Sequence, residues 1–440
     1  MDILPLQSSP RCDPVDDSSP GNLAAWDVLR VAAAFGVVAL HACVPYLKHP
    51  MPGLQWAVND DVSPTLDCVF WAIEVFIMPV FLVIAGVLAW QSLQRRGPKR
   101  LVSGRLKRLG KPLLFGLCVI LPIDLYVWLG GWIYEGRIDP IKIKSLKIEG
   151  LLGDHLWGTG HLWFLAYLMT YVVTLAAVVV GTGRILGEYR SDDRASGGRD
   201  CRKHRTAIFA FMIVAVGVVT LSLRPEVVWG FQHAFAPVPS KWIYSGTFFV
   251  GGVLLARQSG GLAMLQNHAS RCWMPAACLL IAAVLLGRWS LAGHEPGTVT
   301  GKSASVVLAG FTNLAAWAVT LSAIGLGLKH FRRATPAVSY LAAASFWIYL
   351  AHHPLLGLIH IDLKYLLPGW SPTVKGLAAF VIATGVSLLI YEAFVRKTRL
   401  GAWLGMQWGL REETGKASPT EIVILHELEV AATPRRRRAA

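Results

Sequence analysis

Histidines that stand within apolar stretches of this sequence include His41, His161 and the adjacent His352 and His353. A histidine can take a proton from a hydroxyl group, because the imidazole ring titrates close to neutral pH. An ionisable side chain inside a bilayer costs about 2.5–3.5 kcal/mol or more, so its presence there indicates function by default. These four positions are therefore the first candidates for chemistry.

Arg30 and His41 are eleven residues apart on the first apolar stretch. Eleven residues make about three helical turns, so both side chains project from one face, roughly 16 Å apart along the axis. Asp27 precedes Arg30 by three residues and can pair with it. Alternatively, the arginine extends to the membrane surface and the histidine bonds a neighbouring helix. The shared face favours a functional role for the pair.

Two later stretches carry the other histidines. His161 and Trp163 open the fourth stretch, where a belt of interfacial aromatic residues would explain them equally well. Ser345, Tyr349 and His353 follow helical spacing and form one polar stripe, for which a packing seam between helices is the alternative. Further acids at membrane depth are Glu74, Asp124 and Glu392.

Basic residues are concentrated between the second and third apolar stretches. Residues 93–111 contain eight of them and no acid, and Arg105 and Arg108 belong to this group. Arginines bind phosphate groups through paired hydrogen bonds, which suits a polyanion such as the pyrophosphate of coenzyme A. The histidines at one end and this basic segment at the other predict a single polar path through the protein.

Composition indicates which class of protein holds these residues in place. The chain has 440 residues, of which 54% are apolar and only 16% charged, whereas soluble domains are about 25% charged. This excludes a soluble enzyme, a disordered tail protein and a secreted disulfide scaffold. The net charge of +15 is explained by basic loops of a membrane protein rather than by a nucleic-acid partner. The cysteines and histidines show no metal-binding spacing, so no metal is expected.

The hydropathy pattern predicts an all-α polytopic membrane bundle of about ten transmembrane helices, with eleven as the alternative. Loops between the spans alternate between rich and poor in Lys and Arg, which places both termini in the cytoplasm. Residues 1–23 and 406–440 are then cytoplasmic tails around a transmembrane domain over 24–405. The ten predicted spans are 24–46, 69–92, 112–133, 161–181, 207–222, 240–256, 273–292, 304–327, 338–361 and 376–395.

Several of these segments, in order, resemble the acyltransferase 3 family of membrane O-acyltransferases. Arg30 and His41 match its R-x10-H signature, residues 81–86 its FFxxSG segment, and Arg105 to Arg108 before Pro112 its RxxR segment. Residues 161–165, 349–355 and 391–392 look more like one branch, whose members succinylate osmoregulated periplasmic glucans. The resemblance covers about residues 24–405.

The resemblance implies an acyltransferase of the bacterial inner membrane, with no cofactor beyond the donor. It moves a succinyl or acetyl group from cytoplasmic succinyl-CoA or acetyl-CoA to a hydroxyl of an envelope carbohydrate such as a glucan. His41 is implied as the catalytic residue, acting as a base or as a covalent acyl carrier, and Arg30 as its partner on the donor side. Arg105 and Arg108 would bind the donor. The residues expected to position substrate are Asp27, His161, Trp163, Tyr349, His352 and His353.

The sequence departs from the family pattern at three positions. Leu82 replaces the second Phe of the FFxxSG segment and Ala85 replaces its Ser, so no role for that hydroxyl carries over. Ile77 stands where the glucan branch tends to carry an Arg. If that Arg reads the distal carboxylate of succinate, the donor here carries a different acyl group.

Two functions of other classes remain as alternatives. A proton-coupled transporter of an anionic solute would use the histidines as a proton relay, but the inverted repeats typical of transporters are not evident in the sequence. A scaffold subunit among other envelope glucan biosynthesis proteins would leave Arg30 and His41 unexplained.

Overall fold

The apolar stretches fold as helices, because a backbone in lipid must satisfy its N–H and C=O groups within its own element. The computed structural model describes residues 20–154, 156–185, 199–232, 234–258, 260–293 and 301–406, and all regular elements in these ranges are helical. The α-helices are α1 Pro20–Cys43, α2 Pro64–Arg105, α3 Lys111–Phe115, α4 Leu121–Tyr134, α5 Lys142–Ser145, α6 Leu151–Asp154, α7 Trp163–Ile185, α8 Arg199–Leu223, α9 Glu226–Trp229, α10 Pro239–Arg257, α11 Gly261–Ala292, α12 Lys302–His330, α13 Pro336–Leu366, α14 Pro372–Ile390 and α15 Arg399–Leu404.

Each of the ten predicted spans coincides with helix. Eight helical segments of the described ranges are long and apolar enough to cross a membrane. One of these, Pro64–Tyr134, contains the two predicted spans 69–92 and 112–133, while 240–256 coincides with α10, which is not among the eight. The all-helical membrane bundle is thus confirmed. The count of ten, the cytoplasmic termini and the division into domains stay predictions.

The basic segment 93–111, expected to be a loop, is mostly helical. α2 is interrupted at Gly97, whose φ of 77° favours glycine, and Pro98 then begins the next helical stretch. A π-helical turn at Leu106–Gly110 continues into α3. The basic composition predicted a loop, but the non-helical backbone is confined to Gly97 in this part of the chain. The arginines of this segment are therefore held on helical backbone.

The helices that carry the candidate residues pack directly on one another. α1 contacts α13 and α2, α13 contacts α4 and α14, and α2 contacts α7 and α10. Between α2 and α10 the backbones touch at two glycines. A Cβ on Gly86 would overlap the carbonyl oxygen of Phe249, and a Cβ on Gly252 would overlap that of Val83. Close approach through small residues is typical of membrane helix pairs.

Replacing Gly86 by alanine is expected to destabilise the protein by about 1–3 kcal/mol, because the added methyl group meets rigid backbone. Gly310→Ala is the matched control, since a Cβ there has no neighbour within 4 Å and the helix propensity gained is the same. Thermal unfolding of the detergent-purified variants measures the difference. Equal melting temperatures for the two variants would contradict this packing.

Candidate active site

Four imidazole rings from three elements form one cluster in the middle of the bundle. His41 lies on α1, His352 and His353 on α13, and His161 in a 3-10 turn, Gly160–Leu162, that precedes α7. The ring of His41 is 5.0 Å from that of His352 and 5.1 Å from that of His353, between centroids. His161 stacks on His353 at 4.6 Å. The structure thus brings together all four predicted histidines.

The hydrogen bonds of His41 define which of its nitrogens is available. Nδ1 lies 2.9 Å from the carbonyl oxygen of Val37 and 3.3 Å from Nε2 of His352. Because a carbonyl only accepts, Nδ1 of the neutral ring carries the proton and Nε2 keeps its lone pair. His352 fits this assignment, since its Nδ1 donates to the carbonyl of Tyr349 at 2.8 Å. His41 therefore offers Nε2 as a base or a nucleophile.

The other two histidines have different hydrogen-bond partners. Nε2 of His161 donates to the carbonyl of Leu350 at 3.1 Å, and its buried Nδ1 has no hydrogen-bond partner among the described residues. Nδ1 of His353 donates to Asp124 on α4 at 2.8 Å. Both side chains of this pair are buried. The sequence predicted Asp124 to be an acid at membrane depth, and the structure pairs it with His353.

Asp124, His161 and His353 are the group of described residues whose types could hold a metal ion. Their ligand atoms lie within 4.8 Å of one another. The rings of His161 and His353 are nearly parallel, at 10°, so they would have to turn before their nitrogens converged on one ion. The sequence-based expectation of no metal stays a prediction.

Trp56 covers the histidine cluster. It lies in residues 44–63 between α1 and α2, which we call the cover segment. Its ring lies 4.7 Å from that of His353 and 6.0 Å from that of His41, between centroids. Its Nε1 donates to Nδ1 of His360 at 2.9 Å, and its carbonyl accepts from Nε1 of Trp132 at 2.8 Å. These bonds hold the indole against the imidazoles.

Ion pairs fasten the same segment at both ends. Lys375 Nζ on α14 lies 2.8 Å from the Asp60 carboxylate. Asp67 at the start of α2 accepts from Arg288 Nε at 2.7 Å and contacts Nδ1 of His49 at 2.9 Å. Asp67 is fully buried, and a buried carboxylate is unfavourable without a cationic partner such as Arg288. Ion pairs therefore hold the cover segment in place over the histidines.

A cavity of about 340 Å³ leads from the basic segment toward the histidines. At its near end the lining is basic, and at its far end it reaches Phe164, Ser345 and Tyr349. Tyr349 Oη donates to the carbonyl of His161 at 2.5 Å, so the cavity ends beside the cluster. The arginines that line it are Arg30, Arg96, Arg100, Arg105 and Arg108.

Arg30 and His41 lie on one face of α1, as their spacing predicts. Arg30 donates to the carbonyl of Ala342 at 3.3 Å and His41 contacts His352, and both of these partners are on α13. Asp27 pairs with Arg30 at 3.1 Å, which confirms the predicted i, i+3 contact. Arg30 lines the cavity while His41 lies in the cluster beyond it.

Trp163 lies outside the cluster of imidazoles. Its ring faces Lys241 on α10, whose Nζ is 3.8 Å from the ring centroid. Sequence reasoning assigned no role to three residues that the structure places at the site: Arg96 and Arg100 in the cavity, and Trp56 over the histidines. The basic composition of residues 93–111 pointed to the two arginines. Nothing in the local sequence pointed to Trp56.

Comparison with known proteins identifies the family. A family model described as an acyltransferase domain, of the acyltransferase 3 type, matches residues 23–392. Similar curated proteins include those named glucans biosynthesis protein C from Salmonella paratyphi B and Salmonella enteritidis, each 24% identical over 368 residues, covering 82% of this chain and 88% of the relative. No solved structure gives a significant match. The chain belongs to the acyltransferase 3 family of membrane acyltransferases.

Proposed function

We propose that this protein transfers an acyl group from acyl-CoA, bound at the arginine end of the cavity, to a hydroxyl of an envelope carbohydrate at the histidine cluster. The observation that carries the proposal is the cavity itself. It joins a wall with five arginines to Tyr349, which contacts both His161 and His352. One end suits a phosphorylated carrier and the other suits acyl chemistry.

The donor end matches the charges of coenzyme A. Its pyrophosphate and its ribose phosphate together need several cationic partners, and arginine binds phosphate through paired, charge-assisted hydrogen bonds. Arg105 and Arg108 would hold these phosphates with Arg96 and Arg100, and Arg30 lines the same cavity. The pantetheine arm would extend along the apolar wall past Phe81 and Phe164 toward Tyr349. No further cofactor is required.

The reacting histidine in this proposal is His41. Its available Nε2 can take the proton of the attacking hydroxyl, which contributes typically 10²–10⁴-fold to rate. Alternatively, Nε2 can attack the thioester and carry the acyl group before the acceptor arrives. His352 and Val37 fix the orientation of the ring in both cases. His161, Tyr349, His352 and His353 would position the acyl carbonyl or the acceptor beside it.

The acceptor side is inferred from the relatives and from the cover segment. The relatives are named for glucan biosynthesis, which supports a glucan or a related envelope carbohydrate as acceptor. The acceptor would approach from the side of Trp56, which does not line the cavity. The protein would act in the inner membrane of a bacterium, together with other envelope glucan biosynthesis proteins. Ile77 is buried on α2 and supplies no charge for a distal carboxylate, so both succinyl and acetyl donors belong in the test.

The test uses membranes that express the chain, incubated with labelled succinyl-CoA or acetyl-CoA and an extract of envelope glucans. Label in the carbohydrate fraction is expected with one donor, and that donor identifies the acyl group. Membranes without the protein are the control. No transfer from either donor would contradict the proposal. Uptake of an anionic solute that is unaffected by acyl-CoA would then favour a transporter.

A further inference from the structure

In the proposed reaction, His353 has so far been given only a positioning role, and its buried partner Asp124 has been given none. Nδ1 of the imidazole is 2.8 Å from the carboxylate, and the two side chains are only 4% and 5% exposed. A carboxylate in the apolar interior of a membrane bundle is unfavourable unless it is paired. Asp124 is therefore paired with His353 inside the protein.

The carboxylate determines the chemistry that His353 can perform. Because the Asp124 carboxylate accepts a hydrogen bond from the N–H at Nδ1, Nε2 of His353 keeps its lone pair and can take a proton. The negative charge of Asp124 then stabilises the imidazolium that forms, as a carboxylate does behind the base histidine of hydrolases. A histidine held by a carbonyl lacks this stabilisation.

The other histidines of the cluster are less suited to accept a proton. His352 uses both nitrogens, Nδ1 toward the carbonyl of Tyr349 and Nε2 toward His41. His161 is held by the carbonyl of Leu350, not by a carboxylate. His41 is held by the carbonyl of Val37. Within the described cluster, the carboxylate bond is that of His353.

His353 also lies on the side from which the acceptor would come. It is one helical turn beyond Tyr349, the residue of α13 at which the cavity ends. Trp56 of the cover segment packs against it at 4.7 Å. Its ring is 5.1 Å from that of His41, so a hydroxyl between the two rings would meet both the reacting histidine and this pair.

We propose that His353, positioned by Asp124, accepts the proton of the acceptor hydroxyl; this rests on the acyl transfer proposed above. The hydroxyl O–H bond breaks and its proton moves to Nε2 of His353. In this step His41 is the acyl carrier, the second of the two roles open to it, since its Nε2 has attacked the thioester and released the CoA thiolate. The oxygen forms a bond to the acyl carbonyl carbon, the bond from that carbon to Nε2 of His41 breaks, and the ring leaves as the neutral imidazole. The proton on His353 then passes to solvent, which balances the thiolate released in the first step. His353 is a catalytic residue in this step and Asp124 a positioning residue.

The test compares two acceptors in His353→Gln and Asp124→Asn. Hydroxylamine attacks acyl groups as a neutral nucleophile and needs no prior removal of a proton, whereas a sugar hydroxyl does. Transfer to the envelope glucan extract is expected to fall about 100-fold or more. Hydroxamate formation from the same acyl-CoA, after subtraction of the uncatalysed rate in membranes without the protein, should stay close to the wild-type rate. Asp124→Glu, which keeps the carboxylate, should restore part of the glucan transfer. His268→Gln replaces an exposed histidine and is the control: it should transfer to both acceptors at the wild-type rate.

Three results would overturn the proposal. Equal loss of glucan and hydroxylamine transfer would assign the pair to folding or to the donor, and unchanged glucan transfer would remove it from the reaction. A stoichiometric metal ion in the purified wild-type protein, lost in Asp124→Asn, would make Asp124, His161 and His353 metal ligands instead. A wild-type protein that acylates neither acceptor would reject the acyl transfer itself, which separates that failure from the other three.

Discussion

Replacing His41 by alanine is expected to lower acyl transfer by about 10²–10⁴-fold, the largest effect of any single change in this protein. The imidazole is held by Val37 and His352 with Nε2 available, in the cluster beside which the cavity ends. Both chemical roles open to His41 need that nitrogen. The measurement is label transferred from acyl-CoA to the carbohydrate fraction, at equal amounts of wild-type and variant protein in the membrane.

The matched control is His268→Ala. His268 also bonds a carbonyl of its own helix, at 2.9 Å from Met264, but it is exposed on α11 and does not line the cavity. Full transfer is expected from this control. Transfer that survives in His41→Ala would exclude His41 from the reaction even if the protein is an acyltransferase. Both the transporter and the scaffold alternatives expect transfer from acyl-CoA, if any is seen, to be independent of His41.

Local sequence patterns predicted much of the candidate site. The spacing of Arg30 and His41 placed both on one face of a helix, and both contact α13. His161, His352 and His353 stood out because ionisable residues are rare in membrane helices. The partner of Asp124 could not be found in this way, because His353 is 229 residues away along the chain. Trp56 lies in an irregular segment, where no periodicity indicates which way a side chain points.

Hydropathy predicted the helices better than it predicted the connections. All ten predicted spans fall on helix, since lipid leaves few alternatives to the backbone. The prediction of a loop at 93–111 was wrong, because this basic segment is mostly helical. Gly97, with its positive φ, marks the true break. This correction matters for function, since it fixes the arginines of the cavity on helical turns.

Removing two of those charges together, as Arg105→Gln with Arg108→Gln, is expected to raise the KM for acyl-CoA by about tenfold or more for each arginine. Hydrogen bonds to charged groups contribute about 1.5–3 kcal/mol, and about 1.4 kcal/mol corresponds to a factor of ten. The value of kcat should change little, because the histidine cluster lies at the other end of the cavity. Steady-state kinetics with labelled acyl-CoA measures both constants.

An acyl-pantetheine donor separates phosphate binding from a general loss of structure. It carries the same thioester without the phosphates of CoA, so the double variant and the wild type should use it equally well. Arg332→Gln with Arg333→Gln is the charge-matched control, since both residues are exposed beyond α12 and neither lines the cavity. A KM for acyl-CoA that rises equally in both double variants would mean that net charge, and not the cavity, governs donor binding. A rise confined to Arg105 and Arg108, and absent with acyl-pantetheine, would place the CoA phosphates at the arginine end.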